Sequence, residues 1–464
     1  MANRIAILGG GFAGMCAAYL ARKANFDVTI YEPSGGIGGV LQGVEVFGEK
    51  LDLGCHLFDN DSDELSEILF ELVGSENFFY PVDPTYKSTL NGVELSDIAV
   101  PDFRDLSDEE LAVILNEIKK GRGSLEFHCK NLEQTLFSRF GCRLGERLAK
   151  ISEKLFQERP QNLDSSVLDF SPFKRVRLRD NITSERLKRD PVFDDVLAIR
   201  GKTLGQYTSA TKYSCRNFYP KEGGTASFVN KFRQNLDDLG VAVVTRAKNL
   251  KLQTVRNQGI EIILDGKSLD YDYVLSTLDA ELLSNALVNQ VPLTFSSRSV
   301  PMCLCYFQID AESLGDIAYL NNFSISSSIF RVSAPVNYIP TSADRGLAHI
   351  CVECPTEVDS ELWNSNIEIL QKSLFEELKA LSFVVSNAKP RKAQKFNVAR
   401  TYTVKKVGYQ QELELFEAKI RRDMPNLLFM DGMSKSKSQL LTECLAKLEQ
   451  ITGFSWKNGI NNKS

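Results

Sequence analysis

The sequence predicts an α/β protein of Rossmann type in which a dinucleotide-binding domain is interleaved with a second, α+β domain. Three observations lead there. An apolar strand at residues 3–8 runs directly into a glycine turn and a small-residue helix; a second apolar strand ends on an acid, Glu32; and short strand-and-glycine elements return after residue 217, behind a long helical stretch. The composition agrees, since 464 residues with 43% hydrophobic side chains, 25% charged side chains and a formal net charge of −5 describe a globular chain and exclude disordered or collagen-like ones. At roughly 150 residues per domain the length suggests about three units, and equally admits two discontinuous ones.

The first motif is Gly9-Gly10-Gly11-Phe12-Ala13-Gly14, ahead of the helix MCAAYLARKA. Gly9 allows a tight turn, Gly11 lets backbone approach a pyrophosphate, and Gly14 lets the helix pack on the strand. The helix N-terminus, through Phe12 and Ala13, offers N–H groups and partial positive charge to phosphate. The strand Asp-Val-Thr-Ile-Tyr then delivers Glu32, 18 positions after Gly14, where it can accept both hydroxyls of an adenosine ribose and would repel a 2′-phosphate.

A second glycine cluster follows in Glu32-Pro33-Ser34-Gly35-Gly36-Ile37-Gly38-Gly39-Val40, and then Leu51-Asp52-Leu53-Gly54-Cys55-His56. Here the chain resembles the FAD-dependent amine-oxidase superfamily, which includes protoporphyrinogen oxidases, phytoene-desaturase-like enzymes and UDP-galactopyranose mutases. The resemblance implies a glutathione-reductase-like FAD domain and non-covalent FAD, with contacts from Gly9, Gly11, Phe12, Ala13, Gly14, Glu32, Pro33, Gly38, Gly39, Asp52, Gly54, His56 and Gly432. The chain departs from the family at Gly36 and Val40, where basic residues usually stand.

Beyond residue 60 the elements follow in order. Leu65, Ile68, Leu69 and Leu72 mark an amphipathic helix stopped by Gly74; Ser107 and Glu110 form a capping box; and Leu132, Leu136, Phe140, Leu144, Leu148, Ile151 and Leu155 give a long helical stripe ending before Pro160. Asn217-Phe218-Tyr219-Pro220-Lys221-Glu222-Gly223-Gly224 and Asp272-Tyr273-Val274-Leu275-Ser276-Thr277 resemble passages that lead the family's chain back to its FAD domain. Ile329-Phe330-Arg331-Val332 resembles a substrate-domain strand, and residues 425–432 with the C-terminal helix resemble the segment that closes over the flavin. The implied domains are 1–75, 206–290 and 395–464 for FAD, and 76–205 and 291–394 for substrate, with a helical insertion.

Two side chains are candidates for catalysis. His56 follows the turn that the family sets beside the isoalloxazine, and Arg331 can hold a carboxylate or diphosphate through two parallel bonds; Arg400 is a weaker second. His128 and His349 read as structural. Lys174, Arg175, Arg177, Arg179, Arg186, Lys188 and Arg189 read as a solvated face, with binding of an anionic substrate as the other reading. No metal is expected: Cys351 and Cys354 have zinc or redox spacing but sit in an alternating β-like run without further ligands.

The mild negative charge gives no general attraction to nucleic acid, and no run approaches the roughly 18 apolar residues of a membrane span, which leaves at most peripheral membrane contact. The N-terminal apolar run breaks at once into glycines, which argues against a signal peptide and for the cytoplasm. The reading is an FAD-dependent oxidoreductase that takes hydride at flavin N5 from a small-molecule substrate, sugar-type or anionic ones included. A flavin-dependent sugar-nucleotide mutase and an FAD-binding scaffold without turnover stand as alternatives. Against the mutase, the stretch Gly432-Met433-Ser434-Lys435-Ser436-Lys437 lacks the Arg and Tyr residues that hold a diphosphate there, although Lys435 and Lys437 can neutralise phosphate.

Overall fold

The computed structural model describes residues 3–83, 85–92, 94–123, 129–199, 211–213, 215–255, 259–288, 293–339, 346–433 and 435–453. The chain opens with β1 (Arg4–Leu8), α1 (Phe12–Lys23) and β2 (Asp27–Glu32), followed by α2 (Asp63–Val73), β3 (Tyr86–Thr89) and the long α3 (Leu132–Phe156). After the helical stretch come β4 (Asn217–Pro220), α4 (Gly224–Asp238), β5 (Ala242–Thr245) and β6 (Tyr273–Ser276). The strands β7 (Ser297–Asp310), β8 (Tyr319–Asn322), β9 (Arg331–Ser333), β10 (Leu347–Pro355) and β11 (Lys392–Lys405) precede β12 (Leu427–Phe429) and the last helix, α5 (Lys437–Thr452).

A parallel five-stranded sheet has the order β12-β6-β1-β2-β5. Its strands come from the beginning, middle and end of the chain, and β1 takes the central place because it is apolar on both faces. Ile5 and Ile7 pack toward α1, α4 and α5, while Ala6 and Leu8 pack toward Tyr271, Phe416 and Phe429 on the other side. A strand buried on both faces reads as a continuous apolar run rather than an alternating one, as Ile-Ala-Ile-Leu does.

The second large sheet has the order β11-β7-β10-β9-β8-β3, antiparallel except for the parallel pair β8–β3. One face packs on the helix Ile367–Ala380 through Leu374, Phe375 and Leu378. The other face carries Met302, Leu304, Tyr306 and Cys351 and packs against Val44, Val46, Leu51 and Leu53 of the segment after the second glycine cluster. Cys351 and Cys354 therefore lie on opposite faces of β10, one in each core, and cannot ligate one ion together.

The apolar stripe of α3 is buried as its periodicity predicts, from Leu132 through Leu155. The helix is nevertheless kinked at Gly141, whose φ is 78°. A Cβ there would come within 2.4 Å of the Glu117 side chain, so the kink lets the neighbouring helix Asp108–Gly123 pack closely.

Where α1 packs on the turn after β1, backbone comes closest at Gly14, where a Cβ would sit 1.8 Å from the Gly9 carbonyl oxygen. We expect Gly14→Ala to lower stability by about 1–3 kcal/mol, the usual cost of overpacking, as read by chemical denaturation.

Candidate active site

The glycine turn after β1 forms a cradle. Gly9 takes φ +95° and donates its N–H to the Tyr31 carbonyl at 2.8 Å, which ties the turn to the end of β2. Gly11 is the N-cap of α1, and no side chain caps this helix. The first N–H groups of α1 are therefore open to an anion. A Cβ on Gly11 would meet nothing within 4 Å, in contrast to Gly14, so Gly11 borders open space and Gly14 borders backbone.

Glu32 closes one side of the cradle. Its carboxylate accepts the Gly10 N–H at 2.6 Å and the Ser34 N–H at 2.7 Å, which fixes both oxygens at the end of β2 just before Pro33. The second glycine cluster folds onto the first: Gly38 donates its N–H to the Gly10 carbonyl at 2.6 Å, and a Cβ on Gly39 would lie 3.3 Å from the Gly11 Cα. Gly38 takes φ +117° and packs against Val229 of α4. Val40, where the family usually has a basic residue, is 47% exposed.

The turn at residues 52–57 is held from several directions. The buried Asp52 carboxylate accepts the Thr225 N–H at 2.8 Å and the Thr225 hydroxyl at 2.9 Å, both at the start of α4, and the Tyr219 hydroxyl of β4 at 2.7 Å. Tyr306 of β7 donates its hydroxyl to the Asp52 carbonyl at 2.7 Å. The Cys55 N–H donates to Glu353 of β10 at 3.2 Å, and Gly54, with φ +86°, rests on the same carboxylate. Lys437, the first residue of α5, donates to the Leu57 carbonyl at 2.7 Å. Asp52 thus acts on the site by anchoring the turn.

Both candidate catalytic side chains border this turn. His56 is half-buried, with Nε2 3.1 Å from the Leu53 carbonyl oxygen. Burial, reinforced by the charges of Lys437 and Arg331, pushes it down to about 3, so the imidazole is neutral at ordinary pH. Arg331 forms a two-bond pair with Glu353, Nε to Oε1 at 2.6 Å and Nη2 to Oε2, and Glu353 itself is only 1% exposed. Burial pushes the Cys55 thiol, 3.1 Å from the Tyr338 hydroxyl, up to about 11 and leaves it protonated.

The other sequence candidates fall elsewhere or have partners. Gly432 follows β12 and meets Leu440 of α5. Its neighbour Asp431 is buried, pairs with Lys405 at 3.3 Å and accepts the Met433 N–H at 3.1 Å. Lys435 pairs with Glu443. Arg400 is exposed and donates to the Ser299 hydroxyl at 3.1 Å. In the basic cluster, Lys174 pairs with Asp169, Arg177 with Asp97 and Asp102, Arg179 with Asp108 and Lys188 with Asp194. His349 stacks on Phe47, while His128 and the boundary expected at 205/206 lie outside the described residues.

Sequence reasoning missed Glu353, Tyr306 and Thr225. Glu353 carried a signal, being the single charge inside the apolar strand Ala-His-Ile-Cys-Val-Glu-Cys-Pro. A carboxylate in such a run needs a buried partner. Tyr306 and Thr225 carried no comparable signal.

The family model for flavin containing amine oxidoreductases matches residues 12–301, more than half of the chain. The chain belongs to this family. FAD is the cofactor of the family and of this chain, and the open side of Gly11, the uncapped α1 and the fixed Glu32 carboxylate suit a dinucleotide. The coproporphyrinogen III oxidase of Mycobacterium bovis is 36% identical over 69 residues, 14% of this chain and 15% of that protein. The protoporphyrinogen oxidase 2 of Arabidopsis thaliana is 30% identical over 80 residues, 17% of this chain and 16% of that one. The matched stretches thus span only about a sixth of these relatives' lengths.

Solved structures share the fold along the whole chain. A reduced UDP-galactopyranose mutase superposes with a TM-score of 0.71 at 13% identity, covering 100% of this chain and 96% of that one. The cyclohexylamine oxidase of Brevibacterium oxydans superposes with a TM-score of 0.63 at 13% identity, covering 97% and 100%. The Rossmann-type α/β fold of this member of the flavin containing amine oxidoreductase family is therefore shared with these solved structures. Among its described residues no helix is long and apolar enough to cross a membrane.

The depressed His56 has a consequence for stability. The unfolded chain takes up this proton near the free imidazole value of about 6.5, the folded one near 3. Between these limits the unfolded state holds more protons, so the contribution is intact above about 6.5 and is lost as pH falls toward 3. Denaturation across pH 3–8 should show stability falling on the acid side of 6.5, with a shallower fall in His56→Gln.

Proposed function

We propose that this chain is an FAD-dependent oxidoreductase that removes hydride from a small organic substrate, with FAD held non-covalently. The observation that supports this reading is the turn 52–57, which bonds on one side to Thr225 of α4, the helix whose Val229 packs on Gly38, and on the other to Glu353 and Tyr306 of the six-stranded sheet, so that the glycine turns and a tyrosine-bearing sheet face flank one turn. FAD bound there supplies the redox chemistry by accepting a hydride equivalent, so the protein's task is to bind, orient and exclude water.

In this reading Gly11 and the first turn of α1 take the pyrophosphate, with Gly38 and Gly39 alongside, and Glu32 takes the ribose hydroxyls. Gly54 and His56 border the flavin ring, and Gly432 lies at its pyrimidine end. The neutral His56 orients by hydrogen bonding without adding charge, and Arg331 stays locked on Glu353 at the substrate side. The cofactor domain comprises residues 1–75, 206–290 and 395–464, and the substrate domain comprises 76–205 and 291–394.

Purified protein should be yellow and should release FAD on denaturation; a colourless protein that takes up no FAD overturns the reading. Substrate should bleach the flavin stoichiometrically without external reductant. Turnover that begins only after the flavin is pre-reduced would instead mark a mutase, and FAD retention without turnover across a broad panel would mark a scaffold.

Gly11→Ala separates the cradle's two duties. Because its Cβ meets nothing within 4 Å in the protein, the variant should unfold like wild type. FAD affinity should nevertheless fall by about tenfold or more, as expected when a side chain intrudes where backbone N–H groups meet phosphate, and flavin fluorescence titration reads the loss.

A further inference from the structure

The face of the second sheet that meets the turn carries a row set by strand register. Arg331 of β9 stands opposite Glu353 of β10, Glu353 opposite Leu304 of β7, and Leu304 opposite Phe396 of β11. The next row on the same face holds Tyr86 and Tyr319, whose rings are 5.5 Å apart, and the Arg331 guanidinium stands 5.8 Å from the Tyr319 ring centre. Tyr86, Tyr319, Arg331 and Phe396 are all partly exposed. On this face the two tyrosines and Phe396 thus flank the Arg331–Glu353 ion pair, with Leu304, Asn321 and Ser333 in the same two rows.

Other cations stand nearby: the Arg216 guanidinium lies 4.3 Å from the Tyr86 ring centre, and its backbone N–H donates to Asp83 at 2.9 Å. Lys437 donates to the Leu57 carbonyl at 2.7 Å and feels the charges of Asp59 and Asp52, while Lys405 pairs with Asp431 and Lys435 with Glu443. A diphosphate or carboxylate entering here would meet Arg331 already engaged through two of its nitrogens, with the buried Glu353 carboxylate behind it. Desolvating an anion against a neutral pair gains little, and the carboxylate repels it.

We propose that Glu353 sets the substrate class of this site: by neutralising Arg331 it reserves the tyrosine-bordered wall for an uncharged, ring-bearing organic substrate and rejects anionic ones. This rests on the proposed oxidoreductase reading, since it assigns the sheet face beside the same turn. Glu353 is a positioning and selectivity residue, because it acts through Arg331 and through the Cys55 N–H.

The test uses the FAD-loaded protein, with benzoate as the anionic probe and benzyl alcohol as its uncharged counterpart, titrated by calorimetry. Wild type should bind benzyl alcohol more tightly than benzoate; a preference for benzoate overturns the proposal. Glu353→Gln keeps an acceptor for Cys55 and Arg331 but removes the charge. It should bind benzoate at least about tenfold more tightly than wild type does, the scale of one charge-assisted contact, and benzoate should raise the melting temperature of this variant alone. The double variant Arg331→Gln/Glu353→Gln should return to the wild-type preference. A folded Glu353→Gln protein with unchanged benzoate affinity also overturns the proposal. FAD content measured on the same samples separates the two readings: lost flavin sinks the oxidoreductase reading, whereas the heats report the sheet face's charge preference with or without it.

Discussion

The turn at residues 52–57 is the constraint on which the site depends. It carries Gly54 in a left-handed conformation and is reached by hydrogen bonds from α4, β4, β7, β10 and α5. Those elements lie far apart in sequence: β7 and β10 belong to the six-stranded sheet, β4 to a small three-stranded one, and α4 and α5 pack on the five-stranded sheet, so the turn ties the six-stranded sheet to the layer that carries the glycine turns. Asp52 and Glu353 are the centres of this arrangement. Each is a buried carboxylate whose oxygens are engaged by protein donors, the condition under which a charge is tolerated away from water. Burial still raises the Asp52 carboxyl above its ordinary value, against the hydrogen bonds from Tyr219 and Thr225, so its ionisation depends on keeping those donors.

The cradle depends on a different kind of constraint, the absence of side chains. Gly14 is needed because a carbonyl lies where its Cβ would be and Gly9 because the backbone turns with positive φ, whereas Gly11 borders open space. The second cluster adds Gly38, whose positive φ and N–H to the Gly10 carbonyl lay the two glycine loops against each other. Gly36 and Val40 thus stand in or beside a loop held by backbone bonds, while the first turn of α1 carries no side-chain cap.

Charge around the 52–57 turn and on the helices beyond is more evenly balanced than the count of cations suggests. Arg331, Lys405 and Lys435 each face a carboxylate, His56 is held neutral by burial, and several arginines and lysines of the 174–189 stretch are paired within the helical insertion. Arg177 shows why a cluster of basic letters misleads: it is 4% exposed and joins Asp97 and Asp102, a structural ion pair inside the protein.

Sequence alone determined the features that are local in the chain. The strand, glycine turn, helix, strand and acid of residues 3–32 could be read in order because each rests on neighbours within a few positions, and the stripe of α3 because helical periodicity is local. The kink at Gly141 escaped that reading, since it answers to Glu117 on another helix. Tertiary structure alone decided the partners of the chemistry. Glu353 meets Arg331 22 residues away and Cys55 298 residues away, and Asp52 meets Thr225 at a separation of 173. Hydrogen bonds and ion pairs act over a few ångströms of space, and only the folded sheets bring these groups within that range; whether an arginine in the sequence is a free anion site or half of a neutral pair is therefore settled by folding.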